Sequence, residues 1–271
     1  MTHTRIRATS TVLAAAAIAA AGCGSDSPST PNGTTQLDVS AVISQMGPAT
    51  LSGIPGASTA LGVPSASTTP AVVPSACTYS SASQGFVCPS IASSGLTFNA
   101  TYWLYDAAGH SQSQAVKSTT ASVRAVIDAS GTVSGTAGQV SGSMTVVNHS
   151  DITMSGLLGN SRTLNGTSSG HDSLTATGNT TTTAVVDLAT IANNIVVPAT
   201  EGDGSSWPLS GTLTVDARTV TKTGALPSIT ASAHAVVTFN GTSIVNVSGT
   251  VAGIPTTCRI DLAGKVAPAC I

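Results

Sequence analysis

From Cys77 to the C-terminus, apolar and polar residues alternate with the two-residue period of half-buried β-strands. Thr97–Tyr105 is one such run, ended by turn residues at Asp106–Gly109. Ser122–Ile127 ends at Asp128–Gly131, and Ser143–Val147 and Ile152–Leu157 flank Asn148–Asp151. Trp207–Val215, Val220–Thr223 and Ile229–Phe239 follow, and the Val and Thr content of 184–197 leans the same way. Asn240-Gly241 predicts a two-residue type I′ hairpin between Ala235–Phe239 and Thr242–Val247. That turn sets Val237 against Ile244 and Val236 against Val245. No helix-length connection links the runs from Cys77 to Ile127 or from Trp207 onward, which excludes parallel βαβ units. The pattern predicts an all-β fold: a single antiparallel meander over 77–271, built as a curved sheet, a sandwich or a partly closed barrel.

A short element recurs at Val133-Ser-Gly-Thr136, Val140-Ser-Gly-Ser143, Met154-Ser-Gly-Leu157, Leu209-Ser-Gly-Thr212 and Val247-Ser-Gly-Thr250. Its spacing is irregular, whereas a solenoid or propeller needs a fixed period. These are read as equivalent strand positions where glycine permits a bend or bulge. Ahead of the β region, residues 23–36 form a Ser, Pro, Thr and Gly tether. A short helix is then expected, capped by Asp38, with Val39, Val42, Ile43 and Met46 on one face and Gly47-Pro48 as its stop. This helix would plug one end of the sheet. Residues 48–75 read as an irregular crossing segment, so that 37–76 forms one linking region.

Charged residues are only 7% and aromatics 3%, so solubility rests on Ser, Thr, Asn and Gly. An ordinary globular chain is about a quarter charged. Polar, uncharged, β-branched surfaces of this kind suit extracellular β proteins. A nucleic-acid partner needs a basic stripe to neutralise phosphates, and no run of Lys or Arg exists in 8–271. The eight aromatics, most of them between Tyr79 and Tyr105, cannot supply the two girdles of a transmembrane barrel.

Residues 1–22 read as a signal peptide. Arg5 and Arg7 form a positive start, and the Ala-rich run Val12–Ala21 is too short to span a bilayer, which takes about 20 apolar residues. Their removal takes the net charge from −2 to −4. Ala20-Ala21-Gly22-Cys23, followed by Gly-Ser-Asp-Ser-Pro, resembles the lipobox of bacterial lipoproteins, with Ala20 standing where leucine is favoured. The resemblance covers residues 1–23 alone. It implies that Cys23 carries the lipid as the first mature residue and that the partner there is a membrane. Gly24 lacks the aspartate that retains some lipoproteins at the inner membrane, so the resemblance points to the outer membrane or cell surface.

Four further cysteines make an even set in an exported chain, which reads as two disulfides. Facing Cys77 with Cys88 centres a turn on Ala82-Ser83 and sets Tyr79 opposite Phe86. Facing Cys258 with Cys270 centres a loop on Gly264 and sets Leu262 opposite Val266. Both local pairings are therefore expected. The spacings are too wide for zinc knuckles.

Gly166-Thr-Ser168-Ser-Gly170, followed by His171-Asp172, matches the hydrolase pattern G-x-S-x-G. A nucleophile elbow needs an apolar strand before it and a helix after it. The flanks here read as strand, turn, strand, so no catalytic residue is expected. His110, His149 and His171 fall at predicted turns and His234 on a strand as a half-buried packing residue. No helical His pair exists, and neither a metal nor another cofactor is expected. Glu201-Gly-Asp203 starts like a calcium loop but lacks the closing glutamate, and reads as an exposed turn. The acids are scattered, most at turns. Tyr102 alternates with Trp103 and Tyr105 on a strand apolar on both faces; core packing is the first reading, and an aromatic platform for a sugar or other flat ligand the second. The expected function is a lipid-anchored envelope protein with a non-catalytic structural, adhesive or binding role toward a protein or glycan. A carrier of an apolar ligand is the alternative, and a hydrolase the weakest reading.

Overall fold

A computed structural model describes residue 73 and residues 76–93, 95–137, 139–198, 207–262 and 269–271. The signal peptide, Cys23, the tether, the expected helix and the Glu201–Asp203 segment lie outside the described residues. So does the facing of Leu262 and Val266.

Every described element is a β-strand, and all pair antiparallel in one sheet. Short strands open it: β1 (Thr78–Ser80), β2 (Gly85–Val87) and β3 (Ile91–Ser93). β4 (Leu96–Tyr105) and β5 (Ser111–Gln112) follow. Five long strands form the body: β6 (Ser122–Ala137), β7 (Val140–Ser155), β8 (Ser161–Thr177), β9 (Thr181–Pro198) and β10 (Ser210–Thr223). β11 (Ile229–Thr238), β12 (Ile244–Val251), β13 (Ile254–Asp261) and β14 (Ala269–Cys270) complete the meander. The order runs from β1 to β14 without closing. β4 would otherwise present a bare edge beyond β2, but β3 and β5 tile the same edge against Leu96–Phe98 and Leu104–Tyr105.

Register divides the residues between two faces. One row runs Phe86, Tyr102, Ala125, Ile152, Gly166, Ala192, Leu213, Val237, Val247, Cys258, Cys270. A second runs Leu104, Val123, Met154, Leu164, Ile195, then Phe239, Val245, Ile260. These rows form the core, and Leu104 and Ile195 are 0% exposed. A flat single layer could not hide them. Among the described residues no helix or second sheet covers this face, and a sheet of this many strands gains curvature as it twists. A bulge contributes to it: Asn193 and Asn194 of β9 oppose the single Asn165 of β8, and the pairing with β10 shifts there too. Asn194 takes φ 49°, and its N–H donates to Asn165 Oδ1 at 2.8 Å.

Both disulfides join the cysteines paired in the local hairpins, Cys77–Cys88 and Cys258–Cys270, with Cα atoms 4.0 Å apart. Tyr79 faces Phe86 as expected, ring centroids 5.4 Å apart edge to face. Thr257 and Ile271 exchange both backbone hydrogen bonds, so Cys258 and Cys270 occupy the adjacent non-bonded pair, where side chains approach closest.

Several expected turns are instead mid-strand. Asp128–Gly131, Asn148–Asp151 and Gly166–Gly170 lie inside β6, β7 and β8, because their polar side chains find partners across strands rather than along them. The Asn240-Gly241 hairpin is also displaced. Val237 pairs with Val247 and Val236 with Ser248, a three-residue slip from the expected register. The slip turns Val245, Val247 and Val251 inward, whereas the predicted register would bury Asn246 and Ser248; the hydrophobic pattern overrides the turn preference. Asn240 Oδ1 accepts from Thr242 N and Oγ1 instead, and Gly241 N–H donates to Pro208 O. The two-residue turn with positive φ is Ala252-Gly253, between β12 and β13.

Of the Ser-Gly repeats, Gly135 and Gly142 face each other across β6–β7. Gly211 has φ 102° beside the β9 bulge. At Gly249 a Cβ would collide with the His234 carbonyl oxygen.

Candidate functional site

The two faces differ in chemistry. Of the charged residues in β4 and β6–β13, only Arg162 and Asp172 share the inner face with the core rows. Arg124, Asp128, Asp151, Asp187, Asp216 and Arg218 all face outward, together with every strand histidine. These acids therefore lie within strands rather than at the expected turns.

Each described histidine meets an aspartate. In the turn after β4, His110 Nδ1 lies 3.2 Å from Asp106 Oδ2, and Asp106 Oδ1 accepts from the Ala108 and His110 N–H groups. The other three pairs are directly opposite residues on neighbouring strands: Asp128 with His149, Asp187 with His171, and Asp216 with His234. Their Nδ1–Oδ1 distances are 2.7, 2.6 and 2.7 Å. The His171 bond is the largest influence holding the Asp187 carboxyl below its ordinary range, with Arg218 adding a charge 3.5 Å away. His149 and His171 are thus strand residues rather than turn residues. His234 is a partly exposed hydrogen-bond partner of Asp216 rather than a packing residue.

The aromatic strand divides as its alternation implies. Tyr102 is 1% exposed in the core, so it cannot share a platform with Trp103 and Tyr105 on the outer face. Trp103 Nε1 donates to Ser83 O at 3.0 Å, and the Arg124 guanidinium covers its ring at 5.1 Å. Arg124 in turn grips Asp151 through two bonds, Nε–Oδ1 at 2.8 Å and Nη2–Oδ2 at 2.6 Å. This paired donor lowers the Asp151 carboxyl from its ordinary value. The indole face is therefore occupied by the protein's own arginine.

Ser168 sits mid-strand on the inner face, and its Oγ pairs with Thr190 Oγ1 at 2.7 Å. His171 points to the opposite face. The nucleophile–base contact that triad chemistry needs is not formed by these residues. A depression between Ala235, Val247, Gly249 and Val251 has a volume of about 10 Å³, room for a single water.

Asp172 is the anomaly of the inner face. It is half-buried between Val146 and Val186, its Oδ1 has no partner, and burial raises its pKa above the ordinary 3.8 against a weaker opposing hydrogen bond from Val147. Ionisation is thus disfavoured in the folded state. The cost is absent below the unfolded-state value and fully present above the folded one. Asp172→Asn removes the charge while keeping an acceptor for the Val147 N–H, so it should raise stability at pH 7, by up to about 1 kcal/mol. The gain should fade as pH drops toward 4, and urea unfolding at the two pH values checks it. Lower stability of the variant at pH 7 would refute this reading.

No family model, curated protein or solved structure matches the chain.

Proposed function

We propose that the protein is exported, anchored by lipid at Cys23, and acts at the bacterial envelope in a non-catalytic structural, adhesive or binding role. The observation that carries this is the pair of disulfides, Cys77–Cys88 closing the ends of the β1–β2 hairpin and Cys258–Cys270 joining directly opposed residues of β13 and β14. Such bonds persist in oxidising compartments, which agrees with the export signal of residues 1–22 and the lipobox-like Ala20–Cys23. Arg124, Asp128, Asp151, Asp187, Asp216 and Arg218 support the non-catalytic part, since each is engaged by a charged residue or a histidine in a cross-strand pair. The partner on that face is a protein or a glycan.

Cys23→Ala should release the protein from the membrane fraction and abolish labelling by a fatty acid. An unlabelled variant that stays in the membrane fraction would overturn the anchor. A second reading, carriage of an apolar ligand, draws on one observation. The inner face of β6–β10 continues past the core with Met144, Val146, Leu174, Ala184 and Val186, of which Asp172 is the only charged neighbour among the described residues. Co-purified lipid in native mass spectrometry would favour it.

A further inference from the structure

The geometry points to a two-histidine site for a divalent transition ion, zinc being the probe, formed by His149 and His171 on the outer face between β7 and β8. Three observations converge. The β7–β8 register sets Val147 opposite His171 and His149 opposite Ser169, so the histidines are diagonal neighbours on adjacent strands. Such positions have Cα atoms roughly 7–8 Å apart, within reach of two long side chains.

Their orientation is set from outside the pair. Asp128 on β6 holds His149 Nδ1 at 2.7 Å, and Asp187 on β9 holds His171 Nδ1 at 2.6 Å. A carboxylate only accepts hydrogen bonds, so each Nδ1 carries the hydrogen of that bond and Nε2 is the nitrogen left to ligate a metal. With the Nδ1 atoms engaged toward β6 and β9, the nitrogen each ring has left to offer across the β7–β8 seam is Nε2. Carboxylate-oriented imidazole is the recurrent arrangement at zinc.

Access completes the argument. The two side chains are 51% and 60% exposed. The residues flanking them across the seam, Val147 and Ser169, are small enough to leave the approach open. No three ligating side chains converge among the described residues, so water would fill the remaining positions of a tetrahedral ion. His234 is an internal control: it has the same aspartate pairing through Asp216, but lies on β11, three strands from β8.

The test is calorimetric titration of the purified mature protein with zinc chloride alone. One equivalent should bind, and His149→Gln and His171→Gln should each weaken binding at least tenfold. Glutamine keeps a polar donor toward the aspartates at exposed positions, and an unchanged circular dichroism spectrum confirms folding. Asp128→Asn should weaken binding about 10-fold to 100-fold, as second-layer partners do, while His234→Gln should leave it unchanged. Absence of zinc binding, or equal losses in the His234 and His149 variants, would overturn the site.

Discussion

Ile195→Ala is expected to destabilise the protein by about 3–4 kcal/mol, among the larger costs for a single apolar truncation. Ile195 is 0% exposed and lies directly opposite Leu164, in the row that runs from Leu104 on β4 to Ile260 on β13. It also sits immediately beside the Asn193–Asn194 bulge, where the β9 pairing shifts against both neighbours. The kinked backbone cannot collapse easily into the space left, so the cavity term adds to the lost burial. Ile191, four residues away, is the control. It faces outward at 47% exposure, and Ile191→Ala should change stability by no more than about 0.5 kcal/mol. Urea unfolding of both variants measures the contrast, and equal effects would contradict the assignment of faces.

Removing the C-terminal disulfide with Cys258→Ala and Cys270→Ala together should cost about 3 kcal/mol. The closed loop is short, with a sequence separation of 12, yet closing even a loop of this size removes enough chain entropy to supply a large share. Packing adds to it, because Cys258 is 1% exposed and lies in the core row opposite Val247. β14 is held by only two residue pairs, Cys258 with Cys270 and Arg259 with Ala269. Without the covalent tie it should leave the edge of β13. Amide exchange at Thr257 and Ile271, whose N–H groups bond each other's carbonyls, should then rise before global unfolding. Unchanged midpoints and unchanged exchange would show that the edge holds without the bond.

Class, strand direction and disulfide pairing were legible in the sequence because each rests on local chemistry. Alternation at Thr97–Tyr105 and Ile229–Phe239 reports a half-buried strand wherever it is placed, and each cysteine pair is centred on its own turn. Strand length was not legible. Asn148-His149-Ser150-Asp151 has the composition of a turn, since these side chains bond their own backbone when nothing else is near. In the sheet, His149 has Asp128 beside it and Asp151 has Arg124, and those partners are 21 and 27 residues away in the chain. A long-range contact thereby overrode a local preference.

The same cause hid the histidine pairs. Asp128 and His149 are symmetric about the β6–β7 connection, His171 and Asp187 about Gly178–Thr180, and Asp216 and His234 about the loop that begins with Gly224. Folding the sequence about those tips would have found all three. That required accepting strands of 14 to 18 residues, far longer than the usual five or six. The Asn240-Gly241 register failed for the opposite reason. There a strong local turn signal competes with the apolar spacing of Val245, Val247 and Val251, and burial decides the register.

The central claim, an exported sheet domain tethered by lipid at Cys23 with both local disulfides formed, is tested most directly by the intact mass of the protein extracted from its native membranes without reduction. The account predicts a chain that begins at Cys23, carries the added mass of the lipid modification, and lacks the four hydrogens lost on forming two disulfides. An unmodified chain, or one with four free thiols, would contradict it.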